Sequence, residues 1–226
     1  MLIDNMLAAR EYLVRVSQTS KEARYPIYLW NHLPPSAASV VHPHVQILVD
    51  SKPTPYQQRL LESSRDYFRK TRNRYWRDIV AEEKRIGKRY IGERNSVAVI
   101  ASYAPQGNRE AQVIFKEISN LVEPTEPEMA DFAGCLIRLL QGYKQMGVNS
   151  FNLTTFSAPL GEGLNYYSLH AKLISRPVWQ PFYRNDTGIL ERFHYEADIE
   201  MEPEAFAQAM RAFFEDGGKP GAEKGH

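Results

Sequence analysis

Within Ser39-Val40-Val41-His42-Pro43-His44-Val45-Gln46-Ile47-Leu48-Val49, two imidazoles and a carboxamide interrupt an apolar run. Imidazole titrates near pH 6.5 in model peptides, so much of it is neutral yet basic at pH 7, which suits proton transfer and nucleophilic attack. For the groups to act together they must share a face. Strand side chains alternate, so His44, Gln46 and Leu48 look one way while Val45, Ile47 and Val49 look the other and can be core. His42 is set just before them by a proline with φ near -65°. Two readings fit this row: chemical equipment, or the wet face of a half-buried strand.

The lead-in separates these readings. Asn31 lies eleven positions before His42 at the end of Tyr25-Pro26-Ile27-Tyr28-Leu29-Trp30, and Pro34-Pro35-Ser36-Ala37-Ala38-Ser39 connects the two. This strand, small-residue loop and His-Pro-His-x-Gln strand resembles the galactose-1-phosphate uridylyltransferase family, a branch of the histidine-triad superfamily. The resemblance implies that His44 is the nucleophile, that Gln46 holds the phosphate, and that Asn31 and Ser39 contact nucleotide or phosphate. Val45 departs from the family's usual glycine, but its side chain faces away from the site. His42 corresponds to a ligand of a structural metal, zinc, whose cysteine ligands lie in an upstream segment that this chain is expected to lack. His42 is then an orienting residue or an orphaned ligand.

With 226 residues, the chain can form one large domain or two smaller ones with a substantial core. Its 43% apolar and 24% charged residues are ordinary for a globular protein, and a net charge of +1 exerts no general pull on nucleic acid or membrane. Cys135 is the single cysteine, which excludes an intrachain disulfide or a Cys-rich zinc cluster and fits a reducing cytoplasm. No apolar run approaches the ~18–20 residues that cross a bilayer, and Met1-Leu2-Ile3-Asp4 does not read as a signal peptide. The sequence has no P-loop, no G-x-S-x-G elbow and, at Gly161-Glu162-Gly163, no complete dinucleotide fingerprint.

The elements that must position the motif follow from periodicity. Met6, Ala9, Leu13 and Val16 predict a helix over about 4–16. Leu60, Leu61, Phe68, Tyr75, Trp76, Ile79 and Val80 mark one or two more after Pro53 and Pro55. Between Arg65 and Arg89, ten Lys/Arg face four Asp/Glu among aromatics. Such a patch could bind RNA, but the interspersed acids favour a solvated helix face, so nucleic acid is not the expected partner.

Val97–Ala101 and Ala111–Phe115 read as an antiparallel pair. Thr125 and Glu128 form a capping box opening a helix with Met129, Phe132, Leu136, Leu139, Leu140 and Tyr143 on one stripe and Gly147 as its stop. Strands are expected at 150–155 and 166–175, and a last helix from Pro203. This β-β-α-β-β order matches one histidine-triad module. In the resembled family the second half carries a metal-binding His-x-His. Here Lys172 follows His170 and Phe156 replaces another ligand, so no metal is expected in the second module and His170 is expected to be a satisfied strand histidine. Tyr195 and Glu196 resemble the family's sugar-contacting pair.

The expected protein is therefore α+β and histidine-triad-like, with antiparallel sheets and flanking helices: a partial module over 1–86, a complete one over 87–216 and a disordered tail over 217–226. The resemblance implies a cytoplasmic, dimeric hexose-1-phosphate uridylyltransferase acting on UDP-hexose and hexose 1-phosphate. A nucleoside-diphosphate-sugar phosphorylase would share the nucleophile. A noncatalytic nucleotide- or RNA-binding protein is the reading from another class.

Overall fold

The computed structural model describes residues 2–182 and 185–215, excluding the side chains of 192 and 193. The expected tail over 217–226 lies outside them. One seven-stranded antiparallel sheet runs through the molecule in the order β2-β1-β6-β7-β5-β4-β3. Its strands are β1 (Tyr25–His32), β2 (Gln46–Asp50), β3 (Tyr90–Arg94), β4 (Val97–Ala101), β5 (Ala111–Phe115), β6 (Phe151–Phe156) and β7 (His170–Ser175). The helices are α1 (Leu2–Thr19), α2 (Pro55–Thr71), α3 (Tyr75–Ile86), α4 (Glu126–Gln145) and α5 (Pro203–Arg211). The α+β architecture with antiparallel strands and flanking helices is the one expected. None of the described helices is long and apolar enough to cross a membrane.

Each sheet face has its own cover. On the first, Met6 and Leu13 of α1, Phe132, Leu136 and Leu139 of α4, and Phe206 and Met210 of α5 pack on Tyr28, Val99, Val113, Leu153 and Leu173. The α4 stripe follows its sequence period, and the Glu128 carboxylate accepts hydrogen bonds from the Thr125 N–H and hydroxyl at 2.8 and 2.7 Å. Gly147 ends the helix with φ +77, a conformation glycine adopts without a Cβ penalty.

On the second face, α2 and α3 cover the side towards β3, where Trp76 and Val80 meet Ala98, Ile100 and Ile114, and Trp76 lies on His170 of β7. At the β2 edge, Gln46, Leu48 and Asp50 remain exposed while Ile47 and Val49 are half-buried against the core. This is the alternation read from the sequence.

Several boundaries differ from expectation. The motif strand starts at Gln46, not near Ser39: Pro43 has no N–H to offer a ladder, and residues 39–45 run irregularly. β7 starts at His170, not Tyr166, because the Tyr167 N–H donates to Leu164 in a turn. β3 was not anticipated. Its Gly92 packs where a Cβ would lie 2.5 Å from Phe214 Cβ, so a residue that weakens strand propensity is there for close packing. The long helical stretch after Pro55 is two helices, broken at Arg72 with φ 63.

The expected module boundary falls at Gly87, which ends α3. Across the sheet, β1 and β6 pair directly, with Asn31 opposite Asn152.

Candidate active site

His44 lies two residues before the edge strand β2, half-buried, with Nδ1 3.1 Å from the main-chain oxygen of His42. A carbonyl oxygen can only accept, so Nδ1 is the donor nitrogen, and in a neutral ring the lone pair falls to Nε2. The His42 ring is exposed, its centroid 5.7 Å from that of His44. Gln46 follows on β2, exposed on the uncovered face. Continuing the β1–β2 register, which pairs Leu29 with Gln46, two residues further would set position 31 opposite position 44.

Asn31 lies on the same face, because Tyr28 and Trp30 face the core. Its Oδ1 accepts a 2.6 Å hydrogen bond from Asn152 Nδ2. The loop between Asn31 and His44 is held locally: the Ser36 N–H and hydroxyl both donate to the Leu33 oxygen, at 3.0 and 2.7 Å. Leu33 has φ 69 and ψ 162, a region nearly reserved for glycine, so its surroundings must impose that conformation. Ser39 follows, exposed. Further along β2 a cavity of about 310 Å³ opens between the sheet and α2, lined by Ile27, Leu48, Asp50, Thr154 and Phe156 among others.

Tyr195 and Glu196 are exposed, directly after a π-helical segment, Leu190–His194. Among the described residues no hydrogen bond or ion pair joins either to Asn31, Ser39, His44 or Gln46. No group of three or more His, Cys, Asp or Glu side chains able to hold a metal occurs among them either. His42 alone does not make a zinc site, so no chemical step is assigned to a metal.

The second half repeats the His44 arrangement in a different setting. His170 Nδ1 lies 3.0 Å from the carbonyl oxygen of Ser168, two residues earlier, as His44 Nδ1 lies beside that of His42. But His170 is fully buried beneath Trp76, ring centroids 3.8 Å apart, and stacks on Phe156. Burial depresses its pKa to about 3, so it is neutral, and its Nε2 has no hydrogen-bond partner. The expectation of a satisfied histidine is correct for one ring nitrogen only.

Lys172, two residues on, is buried against Glu110 at 2.9 Å and also donates to Tyr56 and Gln106. Burial alone would lower the pKa of this ammonium, but the Glu110 carboxylate and Tyr56 hold it above its usual value. The Glu110 carboxylate also accepts from Ser102 and from the Gln106 N–H. Where the first half leaves His44 near solvent, the second closes over a hydrogen-bonded core.

Comparison with solved structures decides the type of fold. A uridylyltransferase superposes with a TM-score of 0.84 at 22% identity, covering 94% of this chain and 67% of the other.

The chain has the uridylyltransferase fold.

A GalT-like protein from Arabidopsis thaliana matches that fold at TM-score 0.79 and 21% identity, covering 93% of this chain and 67% of its own. An ADP-glucose phosphorylase from the same organism, with bound ADP-glucose, matches at 0.78 and 20%, covering 93% and 66%. In sequence, an uncharacterised protein of Archaeoglobus fulgidus is 26% identical over 204 residues, which cover 89% of this chain. The chain spans 59% of that relative's length. No protein-family model matches.

On the uridylyltransferase fold, the residues that sequence reasoning missed are Asn152 and Arg176. Arg176 Nη1 donates to Asn152 Oδ1 at 2.9 Å, and its Nε donates to both Asp186 carboxylate oxygens at 2.8 and 3.0 Å. No local pattern marks either residue, because each meets the site only through strand pairing.

Proposed function

We propose that the protein is a nucleotidyltransferase of nucleotide-sugar metabolism that forms a covalent uridylyl-His44 and transfers UMP between hexose 1-phosphates. The observation carrying this reading is the His44 contact: Nδ1 lies 3.1 Å from the His42 carbonyl oxygen, which can only accept, so Nε2 is the ring nitrogen left without a partner at the open edge of the sheet. A fold shared with a uridylyltransferase and an ADP-glucose phosphorylase supports it.

In the first step, Nε2 forms a bond to the α-phosphorus of UDP-hexose while the bond from that phosphorus to the bridging oxygen breaks. Hexose 1-phosphate leaves with the electron pair. Positive charge arising on the ring is stabilised through Nδ1–H by the His42 carbonyl. In the second step an oxygen of another hexose 1-phosphate bonds to phosphorus and the P–N bond breaks, restoring neutral His44. Gln46 and Ser39 donate hydrogen bonds to phosphoryl oxygens, and Asn31 contacts nucleotide or phosphate. We further assign Tyr195 and Glu196 to contacts with the sugar, within a homodimer that light scattering would detect.

A phosphorylase reaction, with inorganic phosphate as acceptor, is the second reading, favoured by the likeness to an ADP-glucose phosphorylase. Incubation with UDP-glucose labelled with ³²P in the α-phosphate should leave an acid-labile label on the wild type and none on His44→Gln. An unlabelled wild type overturns the covalent mechanism. Competition between galactose 1-phosphate and phosphate for the labelled enzyme separates the two reactions.

A further inference from the structure

We propose that Asn152 is a positioning residue for the reaction proposed above: it fixes the side-chain amide of Asn31 so that its NH₂ group, not its oxygen, is left free on the sheet face that carries Gln46. The inference rests on that reading for its chemical meaning and on hydrogen-bond polarity for its geometry. Arg176 Nη1 lies 2.9 Å from one end of the Asn152 amide, and a guanidinium can only donate, so that end is the oxygen. The other end lies 2.9 Å from the main-chain oxygen of Ser36, which can only accept, so it is the nitrogen. Two independent partners thus give Asn152 the same orientation.

The Asn152 nitrogen also lies 2.6 Å from the Asn31 amide. With one hydrogen directed to Ser36, its second is directed to Asn31, which must present its oxygen. Asn31 Nδ2 is left with both hydrogens and no acceptor among the described residues. Phosphoryl oxygens bonded to His44 would be acceptors, so this orientation matches them and the reverse would oppose oxygen to oxygen. Arg176 does not act as a phosphate clamp here. Its guanidinium is occupied by Asp186 and by Thr187 Oγ1 at 3.2 Å, which leaves Nη1 to orient Asn152. Asn152 therefore carries orientation from the 176–187 segment to β1 and pins the loop leading to the motif through Ser36.

The test is a double-mutant cycle on the single-turnover rate of His44 labelling by UDP-glucose. Asn152→Asp can still accept from Arg176 but cannot donate to Asn31 or Ser36. It should fold, as judged by thermal unfolding, and label about 10- to 100-fold more slowly, the range typical of losing a group that orients a reacting-site ligand. In an Asn31→Ala background the same substitution should cause a smaller loss, because the route through Asn31 is already gone and only the Ser36 contact remains to be lost. A wild-type rate for Asn152→Asp, or an equal second loss in that background, overturns the proposal.

Side-chain amide NMR of the wild type reads the arrangement without turnover. The Asn152 NH₂ protons should exchange with solvent at least tenfold more slowly than those of Asn31, and equal exchange overturns the assignment. If the wild type takes no label, the uridylyltransfer reading fails while this exchange measurement still decides the orientation.

Discussion

The Nδ1 atom of His44 stands 3.1 Å from the carbonyl oxygen of His42, so a single main-chain acceptor determines which ring nitrogen can act as a nucleophile. The same contact exists between His170 and Ser168, where burial has taken the ring out of reach of any substrate. One fold thus holds two histidines in the same local geometry with opposite exposure.

For His44 the expected outcome is loss of covalent labelling. His44→Gln keeps a polar side chain of similar reach but no imidazole lone pair, so mass spectrometry should find the uridylyl adduct on the wild type and none on the variant. An adduct retained by the variant would assign the nucleophile elsewhere.

In the proposed reaction Gln46, exposed on the uncovered sheet face, holds the phosphate, and its substitution should separate rate from folding. Gln46→Ala should slow labelling about 10²- to 10³-fold, as removal of one donor to a developing oxyanion does, with the melting temperature nearly unchanged. Stopped-time labelling together with calorimetry checks both halves.

His170 makes stability pH-dependent with a defined sign. Unfolded, it takes a proton near pH 6.5; folded, it refuses one until about pH 3 because burial disfavours the cation. Between those values the unfolded state binds more protons, so its contribution is fully present above pH 6.5 and is lost as pH falls toward 3. The loss amounts to a few kcal/mol, on the order of magnitude set by that shift. Urea unfolding at pH 7 and pH 4.5 should show it, and His170→Phe, stacked on Phe156, should flatten the difference.

Lys172 and Glu110 are worth more as partners than singly. Lys172→Met leaves a buried carboxylate without its cation and should destabilise the protein by roughly 3–5 kcal/mol. Adding Glu110→Gln removes the stranded charge; its one amide oxygen still accepts from the Gln106 N–H, and its NH₂ group can donate to the Ser102 hydroxyl oxygen. The double variant should therefore recover most of the loss in chemical denaturation, and simple additivity would contradict this account.

The local structure around the candidate motif was legible because its signals are local. The His-Pro-His-x-Gln row, the alternation that exposes Gln46 and buries Ile47, and the Thr125/Glu128 cap each depend on residues within a few positions of one another. Where a distant partner mattered the reading failed, as at Gly92, a strand residue on which Phe214 packs; at the motif itself it missed a local signal, Pro43, which shortens β2.

The amino-acid sequence alone determined which strand faces would be apolar and that the chain is α+β, and it singled out His44 as the candidate imidazole. The tertiary structure decided which amide orients Asn31, that Lys172 meets Glu110, and that His170 is sealed beneath Trp76 while His44 stays near solvent. The physical reason is register. Asn152 reaches Asn31 across 121 positions because β1 and β6 pair in one particular alignment, and the Arg176 guanidinium sets the polarity of that contact from a third segment. Side-chain period encodes which face a residue occupies, whereas its neighbour on that face is set by how distant strands align.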